Sequence, residues 1–173
     1  KQIDRLVEYA RKYIGTPYRR GSKGPNQFDC SGFMQYIFNH FSYSLNASSA
    51  SQYLQGISVK DEEICRGDLV FFKGRNSRRS NVGHVGLVTE VYPDGRFKFI
   101  HASTSQGIRE DWNFSPYYAQ RYVGARRIYF VQIDKRLILD AILELEDIDD
   151  NTPFTEMEKS ITPQEFSTFV RAE

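Results

Sequence analysis

Cysteine and histidine are scarce in this chain: 173 residues hold two of the first and three of the second. Cys30 and Cys65 are too few for a disulfide framework, so cysteine usage leaves the compartment open. No two Cys or His residues stand at the close spacing zinc sites use, and no metal site is expected. No apolar run approaches the roughly 20 residues that cross a membrane, so no membrane span is expected. A signal peptide is missing as well, although one removed by processing fits the same sequence. Internal repeats and low-complexity tracts are absent, which argues against solenoids and flexible linkers. Arg75, Arg78 and Arg79 share one polar loop without interleaved aromatics, a pattern that does not point to nucleic acid.

What is present is enough apolar residue for one hydrophobic core, so a single main domain with an appendage is the expectation. Charge divides the chain. Residues 1 to 133 carry 19 basic and 11 acidic side chains, whereas 134 to 173 carry 4 and 11. The contrast reads either as two differently solvated surfaces or as a basic main domain, 1–133, suited to a carboxylate-bearing substrate. Residues 134–173 read as an acidic extension, partly helical, packed on or beside that body. Its helix signals are the stretch from Leu137 to Ile148 and Thr162-Pro163-Gln164-Glu165, with Pro at the first helical position.

The periodicity of Ile3, Leu6, Val7, Ala10, Tyr13 and Ile14 predicts a helix from Gln2 to Ile14, stopped at Gly15. A second helix begins after Asp29, a good N-cap, with Phe33, Met34, Ile37, Phe38 and Phe41 along one stripe. A third, shorter one is signalled by Ser49 and Gln52 at capping-box spacing. From residue 68 the pattern turns β-branched and aromatic, giving strands over Leu69–Phe72, Val85–Val91, Phe97–Ala102 and Tyr122–Ile133. Pro93-Asp94-Gly95 joins the second and third as an antiparallel hairpin. Helices first and strands after make the fold class α+β, with the helices on one face of a mostly antiparallel sheet.

Cys30 falls in the first turn of the second helix. Unpaired N–H groups and the positive end of the helix dipole favour a thiolate there and predict a lowered thiol pKa. The same N–H groups are placed to hold an oxyanion. Cys30 also lies on the buried stripe, four residues before Met34, but Asp29, Ser31 and Gly32 around it suit a cleft floor better than a sealed core. A thiol nucleophile needs a base. His40 lies about 15 Å along the helix axis from Cys30 and is out of reach. His84 and His101 remain, with His101 able to orient His84 as a neutral hydrogen-bond partner. Counting back from a three-residue hairpin loop sets His101 opposite Leu87, which is the wrong parity for one face shared with His84. An irregularity near Gly83 and Gly86 is therefore needed to re-aim His84. Cys65, in a turn before Arg66-Gly67-Asp68, reads as structural.

These stretches resemble the NlpC family of bacterial cell-wall cysteine peptidases, which are papain-like. The resemblance lies in Gly15-Thr16-Pro17-Tyr18, Phe28-Asp29-Cys30-Ser31-Gly32-Phe33, Arg66-Gly67-Asp68-Leu69-Val70-Phe71-Phe72, Gly83-His84-Val85-Gly86-Leu87, Ile100-His101-Ala102-Ser103 and Tyr122-Val123-Gly124-Ala125-Arg126-Arg127, in the family's order. It implies a catalytic Cys30, His84 and His101, with Tyr18 beside the cysteine, and Asp29, Ser31 and Ser49 as substrate-binding residues. It also implies cofactor-free hydrolysis of the γ-D-glutamyl to diamino acid bond in peptidoglycan stem peptides. The alternatives are an amidase or acyltransferase on the same scaffold, or a non-catalytic module that binds cell-wall peptides. The implied location is the bacterial envelope, periplasmic or secreted, with a cytoplasmic recycling role as the other option. One departure stands out: the family's common Leu-Pro-Arg segment is replaced here by Leu45-Asn46-Ala47-Ser48.

Overall fold

The structure, a computed structural model, describes residues 2–129 and 139–143. One unit spans Lys1–Ile128 and a second begins at Tyr129. Of the second unit, residues 139–143 are helical; the helix start expected at Thr162 lies outside the described residues.

In the first unit the amphipathic opening folds as α1 (Gln2–Arg11), with Leu6, Val7 and Ala10 buried. The helix was expected to reach Ile14. Instead the N–H groups of Lys12, Tyr13 and Ile14 bond three residues back, to Tyr9, Ala10 and Arg11, so the last turn tightens. Gly15 then takes φ +94 and donates to the carbonyl of Ile108 at 2.9 Å. Arg11, at the end of α1, donates to Glu110 at 3.1 Å and Glu90 at 2.9 Å, which fastens the helix end to the sheet.

The second helix, α2 (Cys30–His40), is capped by Asp29 and buries Phe33, Met34, Ile37 and Phe38. The short α3 (Ser49–Gln52) has its cap one residue earlier than expected, at Ser48, in a capping box with Ser51. That leaves Gln52 free to turn inward, where it is fully buried and donates to the carbonyls of Ser31 and Asn46.

Six strands follow: β1 (Ile57–Val59), β2 (Leu69–Lys73), β3 (Val82–Val91), β4 (Phe97–Ser103), β5 (Gly107–Trp112) and β6 (Tyr122–Arg127), with α4 (Pro116–Ala119) before the last. They form one sheet in the order β1-β6-β2-β3-β4-β5, antiparallel throughout. α2 packs on β3 and β4, and α3 on β3. Beyond the sheet a second cluster holds Val70, Phe72, Val88, Phe97 and Phe99, with Tyr118 and Tyr122 against it. β2 is therefore buried on both faces, the reason Leu69-Val70-Phe71-Phe72 is an unbroken apolar run. Each of these side chains contributes about 1.5–3 kcal/mol by leaving water.

β1, β5 and α4 were not read from the sequence. The first is three residues long, and β5 is an edge strand whose Arg-Glu-Asp centre lacks strand composition. β6 ends at Arg127, short of the expected Ile133, of which 130–133 lie outside the described residues. Among the described residues no helix is long and apolar enough to cross a membrane.

Candidate active site

The start of α2 is built by its cap. Asp29 sits in extended backbone, φ −91 and ψ 178. One carboxylate oxygen accepts from the Gly32 N–H at 2.6 Å, the other from the Gly21 N–H at 3.0 Å. The Asp29 N–H donates to Ser22 at 2.8 Å. The loop before the helix is thus folded back onto its first turn. Only glycine fits at position 32, because a Cβ there would stand 2.4 Å from the Ser22 carbonyl oxygen and 2.6 Å from Asp29 Oδ1.

Cys30 follows as the first helical residue and is partly exposed. Its Sγ lies 3.9 Å from the Gly83 carbonyl oxygen, on the opposite wall. The thiol pKa is raised, not lowered as the helix start alone predicts. Burial raises it most and the Asp29 carboxylate adds to that, while the N–H groups of Ser31, Val85 and Cys30 itself pull the other way. The helix terminus does favour the thiolate, but burial outweighs it.

The opposite wall comes from the sheet, and two irregularities shape it. At Gly83, β3 holds one residue more than β2, since Phe72 pairs with His84 and Lys73 with Val82. This is the irregular start expected there. A second lies at Thr89, because Val88 pairs with Phe99 and Glu90 with Lys98. The extra Thr89 moves the register by one, so Leu87 faces Ile100 instead of His101. His101 then falls opposite Gly86, whose added Cβ would stand 3.3 Å from the His101 Cβ. Gly86 and His84 share parity, and the two imidazoles come to one face.

They meet directly. His84 Nε2 and His101 Nδ1 are 2.8 Å apart, and His101 Nε2 lies 2.7 Å from Asp111 Oδ2 on β5. Arg109 Nη2 forms an ion pair with the other oxygen of Asp111 at 3.0 Å. An ionised carboxylate only accepts, so His101 Nε2 carries the proton and its Nδ1 is bare. His84 Nε2 must then donate, which leaves the His84 lone pair on Nδ1. His101 is fully buried. The rings of Phe99 and Tyr118 lie 4.8 and 5.1 Å from its own. Burial, and then the neighbouring His101, pull the His84 pKa from 6.5 down to about 3. Burial also lowers that of His101, against the pull of Asp111. Both rings are neutral at ordinary pH.

Tyr18, Cys30 and His84 line one cavity of 360 Å3, with Asp111 and Tyr118 on its sheet side. The phenol of Tyr18 stays protonated, its pKa raised by burial and by the nearby Cys30 and Asp29. Asp29, Ser31 and Ser49 are not among the residues lining the cavity, and Ser31 and Ser49 are buried. Cys65 is exposed in its turn and is not among the residues lining the cavity, with Sγ donating to the Glu63 carbonyl at 3.3 Å. Among the described residues no group of three or more His, Cys, Asp and Glu is placed to hold a metal. Sequence reasoning missed Asp111 and Tyr118, since neither β5 nor α4 was legible. Arg109 pairs with His101 across β4 and β5, a neighbourhood that the sequence alone does not give.

The NlpC/P60 family matches residues 15–127, most of the described chain. This chain belongs to the NlpC/P60 family. Its fold is accordingly papain-like, with a helix-borne cysteine facing a histidine from the sheet. It is 36% identical over 127 residues to a probable endopeptidase of Haemophilus influenzae, covering 73% of this chain and 74% of that one. It is 34% identical to the murein DD-endopeptidase MepS/murein LD-carboxypeptidase of Escherichia coli, over 72% of this chain and 62% of the relative. With the gamma-DL-glutamyl hydrolase of Bacillus subtilis the identity is 33%, over 75% of this chain and 30% of the relative. The chain thus spans under two thirds of the length of the last two. Among solved structures, an NlpC/P60 family protein from Bacillus cereus aligns with a TM-score of 0.65 at 28% identity, over 72% of this chain and 39% of that one. The NlpC/P60 match encloses Cys30, His84, His101 and Asp111 alike.

Proposed function

We propose that this NlpC/P60 chain is a cysteine endopeptidase of peptidoglycan stem peptides, cutting the γ-D-glutamyl to diamino acid bond through an acyl-enzyme on Cys30. The observation that carries it is the hydrogen-bonded series His84, His101 and Asp111, which leaves a neutral base with a free Nδ1 in the cavity that Cys30 enters. The murein enzyme among the relatives supports the substrate class, and the gamma-DL-glutamyl hydrolase supports the finer bond. Action at the bacterial envelope and a catalytic domain over residues 1–133 belong to the same reading.

The raised thiol pKa and the neutral imidazole make proton transfer concurrent with attack. His84 Nδ1 takes the Cys30 proton as sulfur adds to the carbonyl carbon. The oxygen gains the negative charge, which first-turn N–H groups of α2 and the Tyr18 hydroxyl stabilise. The C–N bond then breaks, the amine leaves with the proton held by His84, and a thioester remains. Water attacks the thioester, again losing its proton to His84, and releases the acid and the Cys30 thiol. Asp29 has its carboxylate in the helix cap, so its share in binding a substrate ammonium is the secondary part of this reading.

Mass analysis of products from defined stem peptides tests it. The full chain is expected to yield a fragment ending in D-glutamate with a free γ-carboxyl, and Cys30→Ala to lower turnover by about a thousandfold or more. Retained cleavage by Cys30→Ala would defeat the assignment.

A further inference from the structure

The cavity beside Cys30 carries an unbalanced charge. Lys73, Arg75, Arg109 and Arg121 line it, and among the described residues Asp111 is the only carboxylate that does. Both oxygens of Asp111 are engaged, one by His101 and one by Arg109, so Arg109 and Asp111 offset each other. Lys73, Arg75 and Arg121 have no carboxylate partner among the described residues. Lys73 Nζ donates to the Ser77 carbonyl at 3.2 Å. Arg121 donates to the carbonyls of Tyr117 and Arg75, with its guanidinium 3.7 Å over the Tyr117 ring. Arg75 is exposed.

The three cations are also held together. The Lys73 N–H donates to the Arg121 carbonyl at 2.7 Å, and Arg121 Nη2 to the Arg75 carbonyl at 3.3 Å, which ties the end of β2, the loop after it and the turn before β6. Gathering like charges at one cavity wall raises the energy of the free protein, and a bound anion lowers it again. Position says which anion. Lys73 follows Phe72, the partner of His84 across β2 and β3, so the cations stand on the base's side of Cys30. A base that returns its proton to the departing amine has the leaving half of the substrate on its own side.

We infer that Lys73, Arg75 and Arg121 form a subsite for a carboxylate on the leaving half of the substrate, an inference that rests on the peptidase reading above. The enzyme selects peptides whose newly freed amino residue bears a free carboxylate over those in which it is amidated.

The test compares two stem peptides that differ only in carboxylate against carboxamide on the leaving residue, using the full chain. The parent is expected to favour the acid by about tenfold in kcat/KM, the scale of a charge-assisted contact in a partly open site. Arg75→Ala and Lys73→Gln should each shrink that ratio by slowing the acid alone, and Arg75→Lys should preserve it. A ratio near one in the parent, or an unchanged ratio in both neutralised variants, overturns the subsite while leaving the peptidase. Calorimetric binding of both peptides to Cys30→Ala separates the two readings. If the parent cleaves neither peptide yet the Cys30→Ala chain binds the acid more tightly, the subsite stands and the reaction falls. Equal affinities there overturn the subsite by themselves.

Discussion

The two walls of the cleft are made by opposite means. The helical wall is local: Asp29, Cys30 and Gly32 lie within four residues, and the cap that joins them is a short-range feature of one turn. The sheet wall is assembled from three strands, with His84 on β3, His101 on β4 and Asp111 on β5, and it exists only because one extra residue at Thr89 sets the register. A local motif places Cys30, but the protonation state of His84 is a property of the whole hairpin and its edge strand.

Substitution at one wall at a time separates them. The largest effect falls on the helical wall. Gly32→Ala forces a Cβ into the Ser22 carbonyl and the Asp29 carboxylate, and it is expected to lower unfolding free energy by about 3 kcal/mol in denaturant titration. Stability within a few tenths of the parent would mean the loop is not pinned to the helix start.

Next comes the sheet wall. Asp111→Asn keeps the shape of the side chain but lets its amide donate to His101 Nε2, which reverses the tautomer of each imidazole in turn and puts a proton on His84 Nδ1. We expect kcat to fall by about thirtyfold with KM nearly unchanged and the melting temperature little altered. A fall in KM-related binding alone would assign Asp111 to substrate contact instead.

The smallest effect is a pH dependence of stability that belongs to the sheet wall only. His84 and His101 have folded pKa values below 6.5, so the unfolded chain binds more protons than the folded one as pH drops under that value. The stability they contribute is fully present above pH 6.5 and is lost progressively as pH falls from there toward 3. Thermal melts between pH 7 and pH 4.5 should show a declining midpoint, and His84→Gln should flatten the decline. An equal slope in both proteins would contradict the lowered His84 pKa.

The contrast also explains what was legible in the sequence. The cap at Asp29, the stripe of α2, the four main strands and the hairpin turn are short-range patterns, and each is found where the residues place it, give or take an end. His84 and His101 could be named because the chain offers only three histidines and one sits too far along α2. Their shared face could not be derived, since nothing in Thr89 as a residue marks it as the extra one. β5 stayed hidden because an edge strand with its Arg-Glu-Asp centre is paired on one side only and lacks a strand's composition, and Asp111 went with it. The raised thiol pKa was misjudged for a related reason: the helix start is visible in sequence, but the desolvation that outweighs it is a sum over both walls.

The protonation state of His84 tests this account most directly. In the full chain labelled with 15N-histidine, the two ring nitrogens of His84 are expected to report a neutral imidazole protonated on Nε2, unchanged between pH 5 and pH 8. A His84 that titrates near 6.5, or one that carries its proton on Nδ1, would contradict the relay from Asp111 through His101.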